Sequence, residues 1–225
     1  MRPSVIVFDV NETLSDMSPM GERFAEVGAP AELAKLWFAA LLRDGFALAA
    51  TGQNVPFADV AAEVLRPLLR AAGVTGDGAV RQILGAMASL ELHPDVAEGV
   101  RTLAARGYRL LTLTNGSAQV AEKLLTGAGL RELFDSLLSV EDAPAWKPAR
   151  AAYEHAATVS GTAPEEMVLV AVHPWDIHGA ARAGMRTAWI DRAGTTYPGH
   201  FTAPDHTVTA VTDLPAALAD RAPAA

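Results

Sequence analysis

Cysteine is absent from the 225-residue sequence, which removes disulfides, thiolate metal sites and cysteine nucleophiles together. Any nucleophile must therefore be oxygen or nitrogen. Long apolar runs are missing as well. The first, Val5 to Phe8, is cut short by Asp9, so neither a secretory leader nor a membrane span can be built from it; a cytoplasmic location and no membrane partner are expected. Positive charge is also short: 18 Lys and Arg stand against 26 Asp and Glu, a formal net charge of −8. That balance argues against a nucleic-acid partner, although a small anionic substrate needs only a local positive pocket. Repeats and low-complexity linkers are lacking, and His93, His155, His178, His200 and His206 show no metal-ligand spacing. No metal or cofactor is expected.

What the sequence does contain is enough apolar material, 50% of residues, for one full core or a core with a modest insertion. Short β-branched runs end in polar clusters: Ser4–Phe8 at Asp9, Tyr108–Thr114 at Asn115, Val168–Val172 at His173, and Arg186–Ile190 at Asp191. A helical pattern from Val96 to Arg106, stopped by Gly107, precedes the second run. This alternation predicts an α/β fold with a Rossmann-like, doubly wound parallel sheet, whose ligands bind beyond the carboxyl ends of the strands. Between Met17 and Leu90 the pattern turns helical, notably over Ala31–Ala50 and Phe57–Ala72, which predicts a helical cap (17–90) inserted into a core made of 1–16 and 91–225. The Ala-Pro-rich end after Asp220 is expected to fray.

Asp9, at a strand end facing turn amides from Val10 to Thr13, is the candidate nucleophile; a turn-capping aspartate is the competing reading. Lys147, followed by Pro148 as a helix starter, is a cation that could keep Asp9 charged, or a plain surface lysine. Thr114, Asn115 and Ser117 offer donors for a substrate carboxylate or leaving group, or simply cap a helix. Asp176 could orient Lys147 or position water, or be favoured only by a helix N-terminus. His173, directly after a buried strand, is a candidate water-activating base or a core histidine. Trp37, Phe38, Trp146 and Trp175 are candidates to line an apolar pocket, or serve packing.

Taken in order, Phe8-Asp9-Val10-Asn11-Glu12-Thr13-Leu14, Leu113-Thr114-Asn115-Gly116-Ser117, Lys147-Pro148 and Trp175-Asp176 resemble the four motifs of the haloacid dehalogenase superfamily across nearly the whole chain. The resemblance implies an Asp9 nucleophile, Thr13 and Thr114 as supporting hydroxyls, Lys147 as stabilising cation, and Tyr153, six residues beyond Lys147, as part of the dehalogenase pattern. Most members are magnesium-dependent phosphatases with an acid/base aspartate two positions after the nucleophile and a carboxylate four residues before the position of Asp176. This sequence has Asn11 and Val172 there. An amide cannot shuttle the proton and valine cannot bind a hard cation.

The resemblance therefore points to the L-2-haloacid dehalogenase branch. It implies hydrolysis of a small 2-haloalkanoic acid through an Asp9 ester, without metal, with Asp176 and His173 as candidates to activate water. Asn115 is then expected beside the departing halide, and Val10, Asn11 and Thr114 around the substrate carboxylate, with Phe38, Tyr153 and Trp175 also at the substrate. The branch pattern has an arginine where this chain has Phe38; Arg43 could supply the charge only if the cap is set differently. Relatives form dimers, so a homodimer is expected. The alternatives are a phosphatase or phosphonate-type hydrolase, and a non-catalytic binding protein on the same fold.

Overall fold

The computed structural model describes residues 3–219; the expected frayed tail lies outside them. Strands β1 (Val5–Phe8), β2 (Arg109–Thr114), β3 (Phe134–Ser139), β4 (Met167–Ala171), β5 (Arg186–Ile190) and β6 (His206–Val208) build one sheet. Its order is β3-β2-β1-β4-β5-β6, parallel throughout. The chain runs outward from β1 to β3 and then returns to the other side of β1. That reversal opens a crevice at the carboxyl ends of the central strands, where Asp9, Asn115 and His173 follow β1, β2 and β4.

β1 is central because all four of its side chains are apolar and fully buried, each worth about 2 kcal/mol of transfer free energy. Alternation sends Ile6 and Phe8 into one cluster, with α5 (Val96–Ala105), α6 (Ala118–Gly127) and α9 (Leu214–Ala217). Val5 and Val7 enter the opposite cluster, with α7 (Arg150–Ser160) and α8 (Pro174–Ala183). β3 and β6 were not expected from the sequence. Both are edge strands: Asp135 and Ser136 break the apolar run of β3, and β6 is three residues long. Pro148 does not start a helix. It follows a cis peptide bond, and α7 begins at Arg150.

Between β1 and α5 lie α1 (Met20–Glu26), α2 (Leu33–Ala50), α3 (Phe57–Ala71) and α4 (Asp77–Met87), with no strand among the described residues. This helical unit has its own cluster around Met20, Phe24, Leu41 and Leu65. Trp37 sits in that cluster, its indole N–H donating to the Ala61 carbonyl at 3.0 Å, so it packs and does not line a pocket. Trp146 likewise packs. Its ring stacks on Phe57 with centroids 5.7 Å apart, and its N–H donates to the Val55 carbonyl at 2.9 Å. The Asn54 amide adds two donations, to the carbonyls of Val140 and Ala143, each 2.8 Å. The connection after β3 is thus built into the helical unit. No helix among the described residues is long and apolar enough to cross a membrane.

Candidate active site

Asp9 leaves β1 with its backbone N–H still donating to Val170 of β4 at 3.0 Å, so the strand ladder fixes its position. Its side chain is buried, with three donors on two oxygens. Lys147 Nζ stands 2.9 Å from Oδ1, Thr13 Oγ1 donates to Oδ2 at 2.6 Å, and His173 Nδ1 lies 3.1 Å from the same Oδ2. Burial would raise the Asp9 pKa, but the Lys147 charge, His173 and Thr13 together hold it well below the usual carboxylate range. The balance favours the ionised carboxylate despite its burial. Thr13 is itself aimed by the Val172 N–H, which donates to its hydroxyl at 3.1 Å.

Lys147 is fully buried, between Asp9 and Asp176, whose Oδ2 is 2.5 Å from Nζ. Burial disfavours its charge, yet the two carboxylates outweigh that and raise its pKa. It is not a surface lysine. Asp176 stands in the first turn of α8 and is wholly buried. Burial pushes its pKa up against the pull of Lys147, and Asp9 pushes the same way. The Tyr153 hydroxyl donates to Asp176 Oδ1 at 2.7 Å, which spends that hydroxyl behind Asp176; burial and that carboxylate raise the tyrosine well above its ordinary pKa.

Asn115, expected beside a leaving group, is turned to the backbone of Lys147 instead. It accepts the Lys147 N–H at 2.9 Å and donates to the Lys147 carbonyl at 3.2 Å. Ser117 caps α6 by accepting from Gln119 N–H at 3.2 Å, the capping reading of that residue. Thr114, Val10 and Asn11 border a small cavity of about 90 Å³ between the ends of β1 and β2, closed by Phe57, Ala61, Leu84 and Met87 of the helical unit. Trp175 lies over His173, ring centroids 4.9 Å apart, and Lys147 Nζ is 5.9 Å from its ring centre. Phe38 faces the other side of His173 at 6.3 Å and walls a larger cavity of about 880 Å³. Arg43 does not supply the missing charge: it is exposed on α2 and paired with Asp44 at 2.8 Å.

Sequence reasoning missed Glu12, His93 and Arg192. Glu12 Oε2 is 2.8 Å from His173 Nε2, and its backbone has φ 62°, a left-handed conformation uncommon for a residue with a Cβ. His93 Nε2 holds the Glu12 carbonyl at 3.0 Å, fixing that turn. Arg192 donates to the Thr13 carbonyl at 2.9 Å and to Asp95 at 2.8 Å, tying the Asp9 turn to α5. The available signals were the position of Glu12 within the first motif and of Arg192 just beyond a strand end. Among the described residues, no cluster of three or more acidic, histidine or cysteine side chains could hold a metal ion.

Comparisons with known proteins place the chain in a family. A family model described as haloacid dehalogenase-like hydrolase matches residues 3–184. The chain is 33% identical over 210 residues to an (S)-2-haloacid dehalogenase of Pseudomonas sp. (strain YL), covering 92% of this chain and 90% of that one. It is 29% identical to haloacetate dehalogenase H-2 of Moraxella sp. (strain B), covering 90% and 92%. Its fold superposes with a TM-score of 0.86, at 25% identity over 95% of this chain and 97% of the other, on an L-2-haloacid dehalogenase from Xanthobacter autotrophicus with chloropropionic acid covalently bound. With a family model matching residues 3–184 and a relative 33% identical over nearly its whole length, the chain belongs to the haloacid dehalogenase-like hydrolase family.

Proposed function

We propose that this protein hydrolyses the carbon–halogen bond of a small 2-haloalkanoic acid, of the haloacetate or 2-halopropionate class, to the 2-hydroxy acid through an ester on Asp9 and without a metal ion. The observation that carries the reading is the Asp9 carboxylate itself, buried and held ionised by Lys147, in the turn whose next residues, Val10 and Asn11, line a cavity of about 90 Å³. The cavity is small and mostly apolar with a few polar groups, which suits a compact substrate. An ionised carboxylate needs no base to attack carbon. Asp9 displaces halide from C2; water then attacks the Asp9 carboxyl carbon and the hydroxy acid leaves.

The metal-independent part rests on the donor set. Asn11 and Val172 stand where a phosphatase needs a proton shuttle and a second metal carboxylate, and the Lys147 ammonium already bridges Asp9 and Asp176. Thr114, Val10 and Asn11 are the groups at hand for the substrate carboxylate. The helical unit acts as the cap that closes this cavity. The test is halide release from chloroacetate, fluoroacetate and both enantiomers of 2-chloropropionate, with EDTA present and Asp9→Asn as control. Release that survives EDTA and vanishes in the control is the expected result. No release from any of the four would sink the assignment, and release abolished by EDTA would sink its metal-independent part.

A further inference from the structure

The geometry points to His173, held by Glu12, as a positively charged donor that together with Thr13 forms the oxyanion site for hydrolysis of the Asp9 ester, and not as the base that activates water. This rests on the dehalogenation reading above and assigns the second half of that reaction.

The imidazole lies between two carboxylates, 3.1 Å from Asp9 Oδ2 at Nδ1 and 2.8 Å from Glu12 Oε2 at Nε2. A neutral ring would present a lone pair to one of them. Only the imidazolium donates on both sides. Burial disfavours that charge, but the hydrogen bonds and charges of Asp9 and Glu12 outweigh it and lift the pKa from 6.5 to about 9. Among the described residues no other charged side chain bonds the ring: Phe38 and Trp175 pack near it, and Asp16, Glu32, Lys35, His93, Asp191 and Arg192 line the adjoining cavity. Glu12 adopts its left-handed backbone at the position from which its side chain reaches Nε2. Such conformations persist where the surroundings over-determine them; here the His93 contact to the Glu12 carbonyl does so.

The two oxygens of Asp9 are not equivalent. Among the described residues Oδ2 has two donors, Thr13 and His173, at 2.6 and 3.1 Å, whereas Oδ1 has one, Lys147 at 2.9 Å. Oδ1 is therefore the oxygen that attacks C2 and becomes the ester oxygen, and Oδ2 becomes the carbonyl. Water then adds to Cγ, giving one proton to Asp176, and the negative charge that develops on Oδ2 meets two donors already in place. The Cγ–Oδ1 bond breaks, Oδ1 leaves as the alkoxide of the hydroxy acid beside Lys147, and Asp176 returns the proton to it. The new Asp9 carboxyl keeps Oδ2 and the water oxygen and loses its remaining proton to solvent, which together with halide is the net acid released.

A donor role and a base role predict opposite pH dependence. In single-turnover experiments with chloroacetate, quenched and read by intact-protein mass, decay of the wild-type Asp9 adduct is expected to slow as pH rises and the imidazolium loses its proton, at a pH below that of the free enzyme because esterification removes the Asp9 charge. Glu12→Gln removes the carboxylate that still favours the protonated ring once Asp9 is an ester, so its falling limb should move to lower pH by about one unit. Glu12→Gln and His173→Gln should both still release a first equivalent of chloride and accumulate the adduct, with decay slower by about 100-fold. Adduct decay that accelerates as His173 loses its proton, or variants whose adduct decays at the wild-type rate, would overturn the assignment while leaving dehalogenation standing. Variants that fold but fail to alkylate would overturn it as well. A wild type that releases no halide overturns both.

Discussion

The indole of Trp146 lies against the bare Cα of Gly45, so closely that a Cβ on Gly45 would overlap the ring. Gly45 belongs to α2 and Trp146 immediately precedes Lys147, so this contact sets the helical unit against the segment that carries the ammonium. Gly45→Ala should gain roughly 1 kcal/mol of helix propensity and lose about 1–3 kcal/mol to overpacking. A net destabilisation is expected, read as a lower urea midpoint with unchanged slope. A raised midpoint would mean that the ring has room to move.

Lys147→Met leaves Asp9 and Asp176 buried without their shared cation. Loss of one partner of a buried pair costs about 3–5 kcal/mol, and turnover should vanish. The penalty has a sign in pH: both carboxylates can escape by protonation, so the variant should recover ground on the wild type as pH falls. Unfolding curves at neutral and acidic pH test this, and a penalty that is independent of pH would mean that neither carboxylate is ionised in the wild type.

Tyr153→Phe removes a donor from Asp176 Oδ1 and leaves Lys147 as its remaining partner. The Asp176 pKa, already raised by burial, should climb further, visible as a shift of its carboxyl carbon resonance with pH. Stability should fall by about 1–3 kcal/mol for the unsatisfied oxygen. An unmoved resonance would place the hydroxyl's role elsewhere.

His173 links stability to pH in the opposite sense from an acid. Its pKa is higher in the folded protein, about 9 against 6.5, so the stabilisation is complete below about 6.5 and fades as pH climbs to about 9. At ~1.4 kcal/mol per unit the whole effect is roughly 3 kcal/mol. The gap in unfolding free energy between the wild type and His173→Gln should narrow across that window. A constant gap would indicate a neutral ring.

The four buried strands were legible because β-branched runs ending in polar clusters have few other readings, whereas β3 and β6, at the sheet edges, lack the continuous apolar run that marks a strand buried on both faces. The residues at the site were legible as a set: Asp9, Thr13, Lys147, Asp176 and His173 do converge. What each side chain bonds was not. Asn115 and Tyr153 turn to Lys147 and Asp176, partners 32 and 23 positions away in sequence, and spacing alone does not say which of several polar groups a buried amide or hydroxyl will choose. Glu12 went unread because its role depends on a backbone conformation that glycine, not glutamate, would advertise.

Around the small cavity the helical unit contributes only Phe57, Ala58, Ala61, Leu84, Met87 and Ala88, all without charge, while the ionic groups that touch Asp9, Lys147 and His173, come from the segments that follow β3 and β4. On the proposed function, reactivity and admission are written on separate stretches of chain. Changes at the cavity wall can redraw which carbon skeleton is accepted while the nucleophile keeps its charge, and a library confined to those six positions should alter substrate range long before it silences the reaction.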